Sequence, residues 1–517
     1  MRSALLSCPY IFCLFSGNAF FGSEVHCLNK PHEALLNTRL STSLDENLAR
    51  FRTILNAGRN ADAQFRDFMI DDTRLCAVYI EGMADARRIS ETILRACTMD
   101  RDAREHAITP EYLASRVLET AQCRPETSTE PLVLAVATGM TALLVDGSDE
   151  ALLLETRGYP ARNVDRTACE SVVIGAQEGF VESLRTNITL LRRYLPSPHL
   201  VTEMLSAGRQ VPCAVCLVYL EGVTDPRVVS ELRSRIAGIS VPAVHGIGDI
   251  QQLIEDRPAA LLPQMLQTER PDRAAACLME GQAVLLADNS PCALAAPVTL
   301  FHQLHTSDDS FARWQYGSFL RIIRLAGMLI SVFLPGMYIA LTSYHMHLIP
   351  MSLLTAIAET RANVPFPVLV EVLLMEFSFY LINEAGTRMP QQIGSALGIV
   401  GALILGQAAV SASIISPMLI IVVSITGLGN YAVPDFSFSL GLILYRQLVI
   451  FAGAMFGLYG ICLAAFCVLN GICAMTSLGL PYTAPIAPPR PHNPDILLRL
   501  PTWLQQRRKV SLREARP

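Results

Sequence analysis

The chain has 517 residues, of which 51% are hydrophobic and only 17% charged, and its formal net charge is -5. A mean hydropathy of +0.35 excludes an ordinary soluble enzyme, and the lack of any basic stripe with interleaved aromatics excludes a nucleic-acid partner. Charged, turn-rich sequence up to about residue 315 gives way to successive apolar runs of membrane-spanning length, so a soluble part is joined to a membrane part.

Residues 1–49 form an N-terminal extension. MRSALLSCPYIFCLFSGNAFF has one basic residue and an apolar stretch broken by Pro9, with no small-x-small cleavage site. A weak signal, a loose extension and a mis-assigned start all remain open readings.

The soluble part carries an internal duplication. AVYIEGMADARRISE at 77–91 returns as LVYLEGVTDPRVVSE at 217–231, each copy an apolar strand, a Glu-Gly turn and an Asp able to cap a helix. TALLVDGSDEALLLET at 141–156 is answered by AVLLADNSPCALAA at 283–296, both reading as hairpins with an Asp in the turn. The fold expected is an α/β cytoplasmic domain of two related subdomains, 50–175 and 205–315. EGFVESLRTNITLLRRYLP, with an apolar stripe at helical spacing, supplies a connecting helix within 176–204.

The 14 cysteines show no disulfide framework. Cys213 and Cys216 form a C-x-x-C inside a strand, where positions three apart face opposite ways, so they read as buried small hydrophobes. His302/His305 and His345/His347 lack third and fourth ligands; neither a metal nor a cofactor is expected. The soluble part has no phosphate-cradling glycine loop and no nucleophile elbow, which argues against an enzyme.

The transmembrane domain is expected over 316–478, with apolar candidates at about 320–342, 366–384, 393–413, 415–433 and 447–473. A basic tail after the last span marks the cytoplasmic side, and with both ends there the number of crossings is even. The candidate at 366–384 fits a span least well. It begins at Pro365 and Pro367, carries Glu371, Glu376 and Glu384, and is flanked by Arg361 and Arg388. It is therefore expected as a re-entrant or interfacial helix, leaving about four full spans in an α-helical polytopic domain. Gly394, Gly398, Ala402 and Gly406 recur every four residues and predict a close-packing face, followed by the polar Gln407. Arg446 makes 437–446 an interfacial lead-in to the last span. Residues 479–517, PYTAPIAPPRPHNP and the run from Arg507, predict an extended Pro-rich basic cytoplasmic tail.

EGFVESLRTNITLLRR, ALAAPVTLFHQLHTSDD, VPFPVLVEVLLMEFSFYLINEAGTRMP, IGSALGIVGALILGQAAV and PYTAPIAP, in this order over roughly 60–485, resemble the A-subunit family of GerA-type spore germinant receptors. That family includes the stage V sporulation protein AF. The first thirty residues have no counterpart there, and Arg361-Ala362 stands where the family has Arg-Glu. The resemblance implies a spore inner membrane location, oligomers, a B subunit and a C lipoprotein as partners, and a nutrient-gated ion path. The alternative is a non-conducting accessory germination protein of the AF type.

Helical angles assign roles within this frame. At about 100° per residue, Glu371, Glu376 and Glu384 fall near 0°, 140° and 220°. Glu376 and Glu384, with Gln407, are candidates for a pore or subunit interface, and Glu371 for an anchor ion-paired to Arg361 or Arg388. Helix-positioning salt bridges without contact to permeating ions are the competing reading.

Overall fold

The computed structural model describes residues 35–99, 108–118, 120, 122–158, 170, 175–388, 406–489 and 498–501. The leader-like stretch before residue 35, Gly394, Gly398, Ala402 and the basic run from Arg507 lie outside the described residues.

The first unit contains α1 (Leu44–Ile54), β1 (Ala63–Ile70), β2 (Thr73–Ile80), β3 (Cys123–Glu126), α2 (Thr129–Ala137), β4 (Thr141–Val145) and β5 (Ala151–Leu154). The second contains α3 (Leu184–Tyr194), β6 (Leu200–Ala207), β7 (Cys213–Leu220), α4 (Pro226–Ala237), α5 (Ile247–Ile254), β8 (Leu266–Thr268), α6 (Pro271–Met279), β9 (Ala283–Ala287) and β10 (Ala293–Ala296). Their antiparallel sheets have the same strand order, β1-β2-β4-β5-β3 and β6-β7-β9-β10-β8.

Both faces of each sheet are covered. Leu75 and Ala77 enter one core and Cys76, Val78 and Ile80 the other; Val215, Leu217 and Tyr219 are likewise separated from Cys216, Val218 and Leu220. This is why β2 and β7 read as continuous apolar runs: a strand buried on both sides loses its polar alternation. Cys213 and Cys216 lie in opposite cores, and burial pushes both thiols up.

The repeated aspartates shape these units. Asp85 and Asp225 cap the helices after the duplicated strands, accepting from the Arg87 and Arg227 amides at 2.9 Å. The hairpin aspartates reach across the fold: Asp146 accepts from Leu44 N at 3.1 Å and Asp288 from Leu184 N at 3.2 Å, capping α1 and α3.

Those matching caps correct the expected connector. The helix within 176–204 opens the second unit, as α1 opens the first, and Asn47 and Asn187 clasp equivalent preceding loops. It stands at the same offset from α1 as separates Tyr79 from Tyr219. The two helices share only their first leucine, that asparagine and one arginine, because only their caps and buried stripe are constrained. The units are joined by Arg192 of α3, which donates to Asp62 at 2.6 Å and Asn60 at 2.9 Å while fully buried. Asn60 also accepts from Thr202 Oγ1 at 2.8 Å.

The helical half comprises α7 (Trp314–Ser343), α8 (Met351–Arg361), α9 (Val368–Arg388), α10 (Pro417–Tyr431) and α11 (Phe436–Cys473). By length and apolarity, α7 and α11 are long enough to cross a membrane. Buried Asp309 ties the soluble half to α7, accepting from Arg321 at 3.2 Å and Arg324 at 2.8 Å.

Three expectations change here. First, α11 is a hairpin. Gly457 leaves helical geometry at φ 61°, Gly460 abuts the Ala452 carbonyl, and Gly441 abuts the Leu261 carbonyl of the second unit. After the helix, Thr476 donates to Asp256 of that same unit at 2.6 Å, so both ends return to one side. The stretch 437–446 is accordingly part of the first arm of that hairpin, continuous with the apolar residues that follow it.

Second, α9 is a continuous helix of 21 residues, about 31 Å at 1.5 Å per residue. Glu371 is level with Ser416 and Asn383 with Tyr431, so α9 runs parallel to α10. Ser331 contacts Asn430 while Tyr338 packs with Leu419, so α10 runs antiparallel to α7. Nothing in this packing turns α9 back on itself; Pro365 and Pro367 form only the turn before it.

Third, the start of the Pro-rich tail is docked. Tyr482 is fully buried and donates to the Pro263 carbonyl at 2.9 Å, and Ser477 donates to Gln264 O at 2.7 Å. Among the described residues, Gly327 meets Gly429 and Gly336 meets Gly453 in close helix approaches, and a Cβ on Gly406 finds only Ile420 at 4.0 Å.

Candidate functional site: a buried polar network in the helical half

Along α9, Val368, Glu371, Val372, Met375 and Glu376 are buried, the i, i+3, i+4, i+7, i+8 pattern of one broad helix face. A face about 140° wide takes both Glu371 and Glu376, and Glu384 lies about 80° beyond it. Hence the structure groups Glu376 with Glu371, and leaves Glu384 on the exposed side. The angles were right but the face was centred between the first two glutamates, because the apolar residues flanking them set its position.

Glu371 accepts from Arg361 Nη2 at 3.2 Å and from the Ser416 amide at 3.2 Å. The turn holding Pro365 and Pro367 lets Arg361, at the end of α8, reach back to the first turn of α9. Arg388 is the last residue of α9, far along the helix from Glu371.

Glu376 meets Arg446 of the first α11 arm. Arg446 Nε lies 3.1 Å from Glu376 Oε2, an ionic contact without the alignment of a hydrogen bond. Tyr380, one turn along α9, donates to the same Oε2 at 2.7 Å and accepts from Arg446 Nη2. The guanidinium also sits 5.5 Å from the Tyr380 ring centroid. Its Nη1 donates to Ser331 Oγ of α7 at 3.3 Å, and Ser331 donates to Asn430 Oδ1 of α10 at 3.3 Å. One chain of side chains thus joins α9, α11, α7 and α10.

Glu376 is 3% and Arg446 1% exposed. Their mutual neutralisation makes such burial tolerable in an apolar bundle. Gln407 is exposed on the helical stretch beside α10, so it does not join this network. Arg446, Tyr380, Ser331 and Asn430 were missed from sequence. Arg446 did leave a signal: it is the single basic residue between Arg388 and Arg490, and a buried glutamate needs a cation.

A second polar region lies where the soluble and helical halves meet. Arg270 is held by Asp272 at 2.8 Å, and Arg273 by Glu170 and the His305 carbonyl at 2.9 Å. Asp435 caps α11 by accepting from Phe438 N at 2.7 Å, and burial pushes its carboxyl up. Among the described residues no group of three or more His, Cys, Asp or Glu is placed to hold a metal ion.

A family model described as Bacillus/Clostridium GerA spore germination protein matches residues 49–511. Spore germination protein KA of Bacillus subtilis (strain 168) is 34% identical across 92% of this chain and 87% of its own length. Spore germination protein GerLA of Bacillus cereus is 35% identical across 80% of this chain and 84% of its own. A solved structure, the N-terminal domain of the A subunit of the Bacillus megaterium spore germinant receptor GerK3, is 25% identical at a TM-score of 0.40, covering 50% of this chain and 97% of that chain. With the match running through both soluble units and the helical half, the chain belongs to the GerA family of spore germination proteins.

Proposed function

We propose that this protein is the A subunit of a nutrient germinant receptor in the spore inner membrane, acting with a B subunit and a C lipoprotein, and that its copies assemble into a nutrient-gated cation conduit. The observation that carries this reading is the Arg446–Glu376–Tyr380 cluster, buried in an apolar helical half. Burying charges there costs a few kcal/mol each, about 2.5–3.5 on insertion scales, a cost characteristic of functional positions. The return of both ends of α11 to the second soluble unit supports the soluble half and the docked tail lying together on the core side.

In this reading Glu376 holds helices in register and Glu384, on the exposed side of α9, contributes to the subunit interface with Gln407. The test is cation flux through liposomes containing the protein with its B and C partners, with nutrient added. Glu384→Gln should change ion selectivity, and Glu376→Gln should alter gating while leaving the oligomer intact. A strictly monomeric particle, or unchanged flux and selectivity in both variants, defeats the conduit.

A further inference from the structure

A cavity of about 460 Å3 lies between β8, the start of α6 and the start of α11. Its volume is within the range of about 300–1,000 Å3 typical of small-molecule sites. Phe436, Leu440 and Ile443 give it an apolar lining, and Phe436 and Leu440 are exposed.

Its charges are unevenly satisfied. Both arginines in the lining are occupied: Arg270 donates to Asp272 and to the Glu170 and Ala176 carbonyls, and Arg273 to Glu170, His302 O and His305 O. Asp435 is 5% exposed, and none of the ion pairs among the described residues includes it. It is bonded instead to backbone N–H groups. Arg273 acts on Asp435 electrostatically but is already ion-paired to Glu170, and the lining sets four carboxylates, Glu170, Glu269, Asp308 and Asp435, against two guanidiniums, so the charge the cavity favours is a cation. The space and the apolar lining suit a cation with an organic body far better than a bare ion.

We propose that this cavity binds an amphiphilic primary amine, its ammonium on the Asp435 carboxylate and its apolar body against Phe436, Leu440 and Ile443. The site reports to the helical network: Asn430, in the lining, accepts from Ser331, which accepts from Arg446. An occupant is therefore two side chains away from the buried ion pair.

The test measures binding of 2-phenylethylamine to the purified full chain in phosphatidylcholine nanodiscs by calorimetry, with empty nanodiscs subtracted and 2-phenylethanol as the neutral control. Asparagine is as good a helix cap as aspartate, so Asp435→Asn should fold and bind the amine at least tenfold more weakly, with alcohol binding unchanged. Equal amine affinity in the wild type and Asp435→Asn, or heat no greater than that of empty nanodiscs, overturns the proposal. Should Asp435→Asn melt early, Leu440→Trp decides: closing the rim is expected to remove amine binding, and retained affinity overturns the site. The readout requires no ion flux, so its failure leaves the conduit reading untouched.

Discussion

At the scale of single residues, the decisive arrangement is Arg446 against Glu376. Removing one partner of a buried pair leaves the other charge unsolvated, a loss of about 3–5 kcal/mol, whereas replacing both by apolar groups is often close to neutral. Arg446→Met and Glu376→Leu should each lower the melting temperature strongly in detergent, and the double variant should recover most of the loss. Strictly additive losses in that cycle would show that the two side chains do not act as a pair. The acid and the base were visible separately in the sequence, as rare charges in apolar runs. Their pairing was not, since they lie on different helices with α10 between them in sequence, and only packing sets which faces meet.

At the scale of elements, the turn at Gly457 converts one long apolar run into two antiparallel arms. Its φ of 61° and ψ of -143° belong to backbone that only glycine adopts at low cost, and a Cβ there would stand 2.7 Å from His345 Cε1. Gly457→Ala should cost about 1–3 kcal/mol of stability, read as a fall in melting temperature. Gly471→Ala, with nothing within 4 Å of the added carbon, is the control and should not fall. An unchanged melting point in Gly457→Ala would mean that the arms do not depend on this turn. Hydropathy detects the apolar run, but a lone glycine among apolar residues resembles the other glycines of α11. The duplicated strands were far more legible, because Tyr-x-Glu-Gly followed by a capping Asp combines a strand, a turn and a helix start in one short pattern.

Across the whole molecule, the soluble and helical halves form one connected body through Asp309 at the entry to α7 and through residues 475–489 at the exit from α11. Tyr482 is fully buried there, near Leu262 and Leu304. Truncating a buried aromatic costs about 3–5 kcal/mol, so Tyr482→Ala should release this segment, seen as faster hydrogen exchange over 476–484. Exchange already fast in the wild type would refute the docking. Proline-rich composition suggested an extended tail, and the segment does lack regular helix. Its burial comes from a surface made by Pro263, Gln264 and Leu300, which are distant in sequence. The sequence by itself determined the division into soluble and apolar halves, the duplicated α/β units and the rare charges at risk in the helical half. These follow from local composition, periodicity and turn chemistry. The tertiary structure decided which charge neutralises which, that α9 is one continuous helix, that α11 folds back, and that the tail returns to the second unit. Each of these depends on contacts between segments far apart in the chain, where the cost of burying a charge or leaving a surface uncovered is settled only by the neighbour that packing supplies.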